Sequence, residues 1–118
     1  MELIPSITIL FVALLHIYFM ILEMFLWDKP PGLKAFGQSI EQATATKKLA
    51  ANQGLYNGFL AAGLLWGLFQ GDGGFDFKFF FLLCILIAGL YGGYTVNKKI
   101  LYIQALPAFI GLLLLILL

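Results

Sequence analysis

Residues 4–27, IPSITILFVALLHIYFMILEMFLW, form a long apolar run that polar side chains interrupt at only a few places. A helix of about 20 such residues is long enough to cross the ~30 Å hydrocarbon core of a bilayer. The rest of the chain has a similar character, since 62% of its 118 residues are hydrophobic and only 11% are charged. Soluble domains of this size do not expose so much apolar surface. The run therefore predicts an integral membrane protein.

Three further apolar segments follow the first one. The predicted spans are Ile4–Trp27, Leu49–Phe69, Phe77–Val96 and Ile100–Leu118. A polar loop, Asp28–Thr46, separates the first two spans, and we expect its Pro30-Pro31-Gly32 to stop a helix. Shorter polar or glycine-rich connections lie at residues 70–74 and 97–99. Helices satisfy all their backbone groups internally in lipid, so we predict one all-α domain over residues 1–118, a four-transmembrane-helix bundle.

Basic residues are concentrated in two of the three connections. Short cytoplasmic loops of membrane proteins are rich in lysine and arginine. This bias places the first and third connections in the cytoplasm, and it places both termini on the non-cytoplasmic side of the inner (plasma) membrane. The net charge of +1 and the scattered lysines do not fit a nucleic-acid partner. The first and third connections hold Lys29, Lys34, Lys47, Lys48, Lys98 and Lys99, whereas the second has only Lys78.

Polar side chains within the predicted spans collect in their cytoplasmic halves. A charge near the middle of a membrane helix costs on the order of 2.5–3.5 kcal/mol on insertion scales, so we expect these groups to meet in one pocket that opens toward the cytoplasm. Glu23 and His16 are the candidate catalytic residues, although no complete catalytic motif is present. Alternatively, hydrogen bonds among these groups serve only to hold the helices together, at about 0.6–2 kcal/mol each. The candidate ligand-binding residues are Glu23, His16, Asn52, Gln53, Tyr56, Asn57, Tyr91, Thr95 and Gln104.

Cysteine and histidine content limits the chemistry further. Cys84 is the one cysteine and His16 the one histidine, so neither an internal disulfide nor a dedicated zinc site is expected. We predict no metal site, and the sequence identifies no cofactor.

Small residues recur at four-residue spacing in the second and third spans. Gly54 and Gly58 lie on one face of the second span, and Gly89 and Gly93 lie on one face of the third. Such stripes allow membrane helices to approach each other closely. Pro107 is expected to kink the fourth span and to free the carbonyl of Ile103 for another partner.

Four motifs together resemble a family of small bacterial membrane proteins known as domain of unknown function 1304. They are His16-x-x-Phe19-x-x-x-Glu23-x-x-x-Trp27, the run Asn52-Gln53-Gly54-Leu55-Tyr56-Asn57-Gly58-Phe59-Leu60-Ala61, Ala88-Gly89-Leu90-Tyr91-Gly92 with Thr95, and Gln104-Ala105-Leu106-Pro107-Ala108. The resemblance covers nearly the whole chain, and it implies no activity.

The arrangement of the four predicted spans is more distantly similar to that of the membrane-associated proteins in eicosanoid and glutathione metabolism. Gln104-Ala105-Leu106-Pro107 is similar to a Gln-Leu-Pro element in their fourth span. The resemblance implies a homotrimer with a ligand site between subunits near the cytosolic face. It also implies arginines that bind glutathione, and this chain contains no arginine. Because an amide cannot replace the bidentate guanidinium, we expect a ligand other than glutathione.

Three functions fit these observations. The first is binding, with or without chemical transformation, of a lipophilic or amphipathic small molecule whose polar head meets Glu23. The second is an oligomeric proton or cation pathway, or a transporter, that uses Glu23 and His16. The third is a structural membrane subunit without a ligand, in which the polar cluster fixes the register of the helices.

Overall fold

The computed structural model describes residues 3–118, and every regular element within that range is helical. The elements are α1 (Leu3–Phe25), α2 (Pro30–Phe36), α3 (Ile40–Phe69), a short 3-10 helix (Gly71–Gly74), α4 (Phe75–Thr95), a π-helix (Leu101–Ala105) and α5 (Leu106–Leu117). The all-helical class expected from the sequence is confirmed for these residues.

Two helical segments, Leu3–Phe25 and Gly71–Thr95, are long and apolar enough to cross a membrane. The apolar segment Leu101–Leu117 is shorter. The helices begin and end close to the predicted spans at α1 and α4. The largest difference is at α3, which begins at Ile40, nine residues before the predicted span. Hydropathy reports which residues suit lipid, whereas helix formation begins where the backbone is capped.

The start of α3 is fixed by a capping box. The backbone N–H of Gln42 donates to Ser39 Oγ at 3.2 Å, and the backbone N–H of Ser39 donates to Gln42 Oε1 at 3.0 Å. Each side chain thereby satisfies a backbone donor that the first turn leaves unpaired. Much of the predicted polar loop is consequently helical.

The Pro30-Pro31-Gly32 sequence begins a helix as well as following one. α1 ends at Phe25, as a stop signal in this region requires, but α2 then begins at Pro30. Proline is well suited to the first helical position, where its missing N–H would be unpaired in any case. Gly37 follows the last residue of α2 with a left-handed φ of 60°, and the N–H of Gln38 donates to Leu33 O at 3.2 Å. This is the Schellman arrangement, which favours glycine at that position.

The described residues divide into two compact units. One consists of the described residues up to Leu14 together with Leu60–Leu118, and the other is Leu15–Phe59. The larger unit holds an apolar core in which α1, α3, α4 and α5 all contribute side chains. Its fully or almost fully buried members are Ile9, Val12, Ala13, Leu64, Leu82, Ile85, Ala108 and Leu112.

Glycines allow close helix contacts in the larger unit, as the small-residue stripes predict. A Cβ on Gly89 would lie 2.8 Å from the Cβ of Ala105, and one on Gly63 would overlap the ring of Phe81. Before Pro107, the N–H of Leu106 donates to Leu101 O, five residues earlier, so the helix widens to a π-helical turn there. A proline supplies no N–H and disturbs the helix before it.

Candidate functional site

Within the smaller unit, α1 and α3 touch where α3 has glycine. A Cβ on Gly54 would lie 2.7 Å from Met24 Cγ and 3.0 Å from the Cβ of Glu23. One turn later, a Cβ on Gly58 would lie 2.7 Å from Met20 Sδ. A larger residue at Gly54 would therefore force the two backbones apart. This contact brings the short side chains of α3 within reach of Glu23.

Glu23 is buried and holds two hydrogen bonds from α3. Its side chain is on α1, and the residue is only 4% exposed. Gln53 Nε2 donates to Glu23 Oε2 at 3.0 Å, and Asn57 Nδ2 donates to Glu23 Oε1 at 2.6 Å. Gln53 and Asn57 are four residues apart, so their side chains lie on the same face of α3. We refer to Glu23, Gln53 and Asn57 as the carboxyl–amide cluster.

The cluster has hydrogen-bonding capacity left over. An amide side chain carries two N–H donors and a carbonyl oxygen, and the structure uses one donor of Gln53 and one of Asn57. Asn57 is 8% exposed, and Gln53 is exposed. Within residues 3–118, no lysine or histidine forms an ion pair with Glu23. The cluster is thus an acceptor-rich carboxyl group with no basic partner among the residues described.

His16 lies two turns before Glu23 on α1. The residue is fully buried, and its ring makes an edge contact with the ring of Phe19 at a centroid distance of 5.3 Å.

The other predicted site residues have different surroundings. Asn52 and Tyr56 are exposed on α3, next to the amides that bind Glu23. In the larger unit, Tyr91 is exposed, and the hydroxyl of Thr95 donates to its backbone carbonyl at 2.8 Å. Gln104 is half-buried in the π-helix. Hydrogen bonds between side chains therefore join Glu23 to Gln53 and Asn57, and the predicted pocket lined by all nine side chains stays a prediction.

Two polar contacts that the sequence reading missed fasten the ends of α1 and α3. The Trp27 indole N–H donates to the Thr46 hydroxyl at 3.1 Å, and Lys47 Nζ lies 3.1 Å from Asp28 Oδ2. The hydrogen bond from Lys47 holds the pKa of the Asp28 carboxyl below its usual value near 3.8. A sequence signal for this region exists, because the Ser39-x-x-Gln42 capping box predicts that Thr46 and Lys47 are helical.

The described residues offer little to a metal ion. Over residues 3–118, no group of three or more His, Cys, Asp or Glu side chains comes together.

Lys78 is buried in the first turn of α4, where a Cβ on Gly67 would meet its Cγ at 2.7 Å. The carboxyl–amide cluster remains the arrangement best suited to recognise a polar group.

The comparisons with known proteins extend over almost the whole chain. The family described as "Protein of unknown function (DUF1304)" matches residues 10–116. "Uncharacterized protein YpaA" of Lactococcus lactis subsp. lactis (strain IL1403) is 31% identical over 115 residues, which cover 96% of this chain and 97% of that protein. No solved structure matches the chain. The similarity thus spans the residues of both compact units.

Proposed function

The chain belongs to the DUF1304 family, and we propose that it is an integral membrane protein whose carboxyl–amide cluster binds the polar head of an amphipathic small molecule. The matched region, residues 10–116, contains every residue of the cluster. The family description names no activity, so the proposal rests on the geometry of this chain's own residues.

The proposed membrane location is supported by the exposed surface of the larger unit. Tyr91, Tyr94 and Tyr102 are 70%, 90% and 69% exposed near the C-terminal end of α4 and the π-helix. Trp66 and Phe69, at the end of α3, are 50% and 82% exposed. Aromatic side chains are enriched at the two interfaces of a bilayer. We propose four crossings, with both termini outside the cytoplasm, on the further basis of the lysine asymmetry.

One observation carries the proposed binding function: Glu23 is almost fully buried and lacks an ion-pair partner within residues 3–118. A buried ionisable group in a membrane segment is unfavourable unless a partner or a function retains it. Two amides provide part of the compensation, and they leave carbonyl oxygens free to bind a ligand. The polar head of a ligand would supply the remaining hydrogen-bonding partners of the cluster, and the ligand's apolar tail would lie among the exposed hydrophobic residues.

The structural alternative also has a specific observation in its favour, since both carboxyl oxygens of Glu23 already accept a hydrogen bond. In that case the cluster only holds α1 against α3. The two functions differ in their consequences. Loss of a binding site removes a ligand from a folded protein, whereas loss of a structural cluster lowers stability alone.

The experiment is native mass spectrometry of the purified protein released from mild detergent. We expect a reproducible added mass on the wild-type protein and its loss in Glu23→Gln, which keeps the size of the side chain and removes its charge. Glu41→Gln is the matched control, because Glu41 is an exposed glutamate of α3. The proposal fails if the intact wild-type protein carries no added mass and no added amphiphile binds to it. A trimer would support the proposed homo-oligomer.

A further inference from the structure

We propose that the ligand of the carboxyl–amide cluster is an organic cation with N–H donors, such as a primary alkylammonium ion. This inference rests on the proposed function and specifies the chemical class of its ligand. Three features of the cluster lead to it: its charge, its remaining acceptors and the aromatic surface beside it.

Hydrogen bonding alone does not select the ligand. After donating to Glu23, the amides of Gln53 and Asn57 each keep one N–H and a carbonyl oxygen. Among the described residues, Gln38 Nε2 is the sole buried side-chain nitrogen or oxygen without a hydrogen bond. Asn57 is 8% exposed, and its carbonyl oxygen is left as an acceptor for a ligand.

Charge makes the selection. The cluster holds one carboxyl group and two neutral amides, and no ion pair to a residue within 3–118 balances it. An anionic head would be repelled by the ionised form of Glu23, and a neutral head would do nothing to offset the cost of ionising a buried carboxyl group, whereas a cationic head favours the ionised carboxylate. An alkylammonium ion, which resembles the lysine side chain, is protonated at neutral pH and brings three N–H donors. Glu23, Gln53 and Asn57 can each accept one of them.

Tyr56 offers the tail an aromatic surface beside the cluster. The residue is 62% exposed and lies on α3. At about 100° per residue, its side chain leaves the helix about 60° from that of Gln53. Aromatic faces contact alkyl chains and attract cations. A ligand whose ammonium head meets the cluster would place its apolar tail on Tyr56.

The test measures the binding of four probes that share a ten-carbon chain. They are decylammonium, decyltrimethylammonium, decanol and decanoate, added to the protein in lipid nanodiscs and assayed by native mass spectrometry. We expect decylammonium to bind at least about tenfold more tightly than the other three, because it alone combines the positive charge with N–H donors. Glu23→Gln should lower decylammonium binding by a similar factor, whereas Glu41→Gln should leave it unchanged.

A second variant keeps the test valid if Glu23→Gln does not fold. Gln53 is exposed, so Gln53→Met should preserve the fold while removing one acceptor and the N–H that donates to Glu23. We expect it to weaken decylammonium binding several-fold relative to decyltrimethylammonium binding, since a quaternary ammonium donates no hydrogen bond and loses only what both ions lose.

The outcomes separate this inference from the proposed function. Equal binding of decylammonium and decanol or decanoate would overturn the cationic ligand and leave amphiphile binding standing. Equal binding of the primary and quaternary ammonium ions would overturn the role of N–H donors. If none of the probes bound and the purified protein carried no added mass, both the inference and the proposed function would be wrong.

Discussion

At the scale of single residues, the surroundings of Glu23 distinguish amides that the sequence lists side by side. Asn52, Gln53 and Asn57 lie within two turns of α3, yet the hydrogen bonds to Glu23 come from Gln53 and Asn57. Asn52 is exposed. The difference has a direct consequence for stability.

Asn57→Ala should destabilise the protein far more than Asn52→Ala. Removing Asn57 takes away the donor to a buried carboxyl oxygen, which costs about 1–3 kcal/mol or more when the group left behind is charged. Asn52 is exposed, so its loss should change stability by less than about 0.5 kcal/mol. Thermal unfolding in one detergent, followed by intrinsic fluorescence, compares the two variants. Equal unfolding midpoints for Asn57→Ala and Asn52→Ala would contradict the geometry of the cluster.

The Asp28–Lys47 ion pair should give a contribution to stability that acid removes. Because Lys47 lowers the pKa of Asp28 in the folded state, the contribution is fully present above the unfolded-state pKa, near 3.8. It disappears as the pH falls through the lower pKa of the folded state. We expect the difference in unfolding midpoint between the wild-type protein and Asp28→Asn to be constant from pH 7 to about pH 5 and to shrink below about pH 4.

Two controls frame that measurement. Lys47→Met should show the same pH dependence as Asp28→Asn, since either substitution breaks the pair. Added salt should reduce the difference at neutral pH, because Lys47 is 56% exposed and its charge is open to screening. A midpoint difference that grew on acidification would show that the pair is not what stabilises this end of the helices.

At the scale of elements, the contact between α1 and α3 depends on Gly54. A methyl group there would meet Met24, Glu23 and the backbone carbonyl of Met20 at 3.1 Å or less. At Gly58, by contrast, the nearest atoms belong to the flexible side chain of Met20. The two glycines of one stripe should therefore respond differently to the same substitution.

Gly54→Ala should destabilise the protein by about 1–3 kcal/mol, as overpacking does elsewhere, and it should weaken ligand binding by moving Gln53 away from Glu23. Gly58→Ala should cost less, because Met20 can change rotamer. Gly73→Ala is the control, since a Cβ there has no neighbour within 4 Å. Unfolding midpoints and native mass spectra of the three variants give both readouts. A harmless Gly54→Ala would mean that α1 and α3 do not approach as closely as described.

The sequence predicts the elements better than it predicts their ends and their rotation. The apolar runs locate α1 and α4 to within about two residues because hydropathy follows what lipid accepts. The start of α3 is predicted wrongly, because the polar composition of residues 40–46 indicates a loop, whereas the Ser39-x-x-Gln42 capping box begins a helix there. Which amides face Glu23 could not be predicted at all. A rotation of α3 by one residue, 100°, would present Asn52 and Tyr56 instead, and the packing of Gly54 on Met24 decides the choice.

At the scale of the whole molecule, the proposed topology makes a prediction about access from the two sides of the membrane. In a Cys84→Ala background, a cysteine at Asp72 should react with a membrane-impermeant maleimide on intact cells. A cysteine at Lys34 should react only after the membrane is permeabilised. The reason is that the proposed topology keeps the lysine-rich connection in the cytoplasm. The reverse labelling pattern, or equal labelling, would exclude two termini outside the cytoplasm.

α3 is longer than the hydrocarbon core of a bilayer is thick. Its 30 residues extend about 45 Å at 1.5 Å per residue, whereas the hydrocarbon core measures ~30 Å. In the proposed arrangement, the surplus of about ten residues is its polar start, which holds Lys47 and Lys48. In a thicker bilayer these lysines would lie closer to the hydrocarbon core. In a thinner bilayer Phe69 would lie outside the hydrocarbon core. If α3 crosses the membrane as proposed, hydrophobic mismatch would favour membranes whose hydrocarbon thickness fits its apolar part.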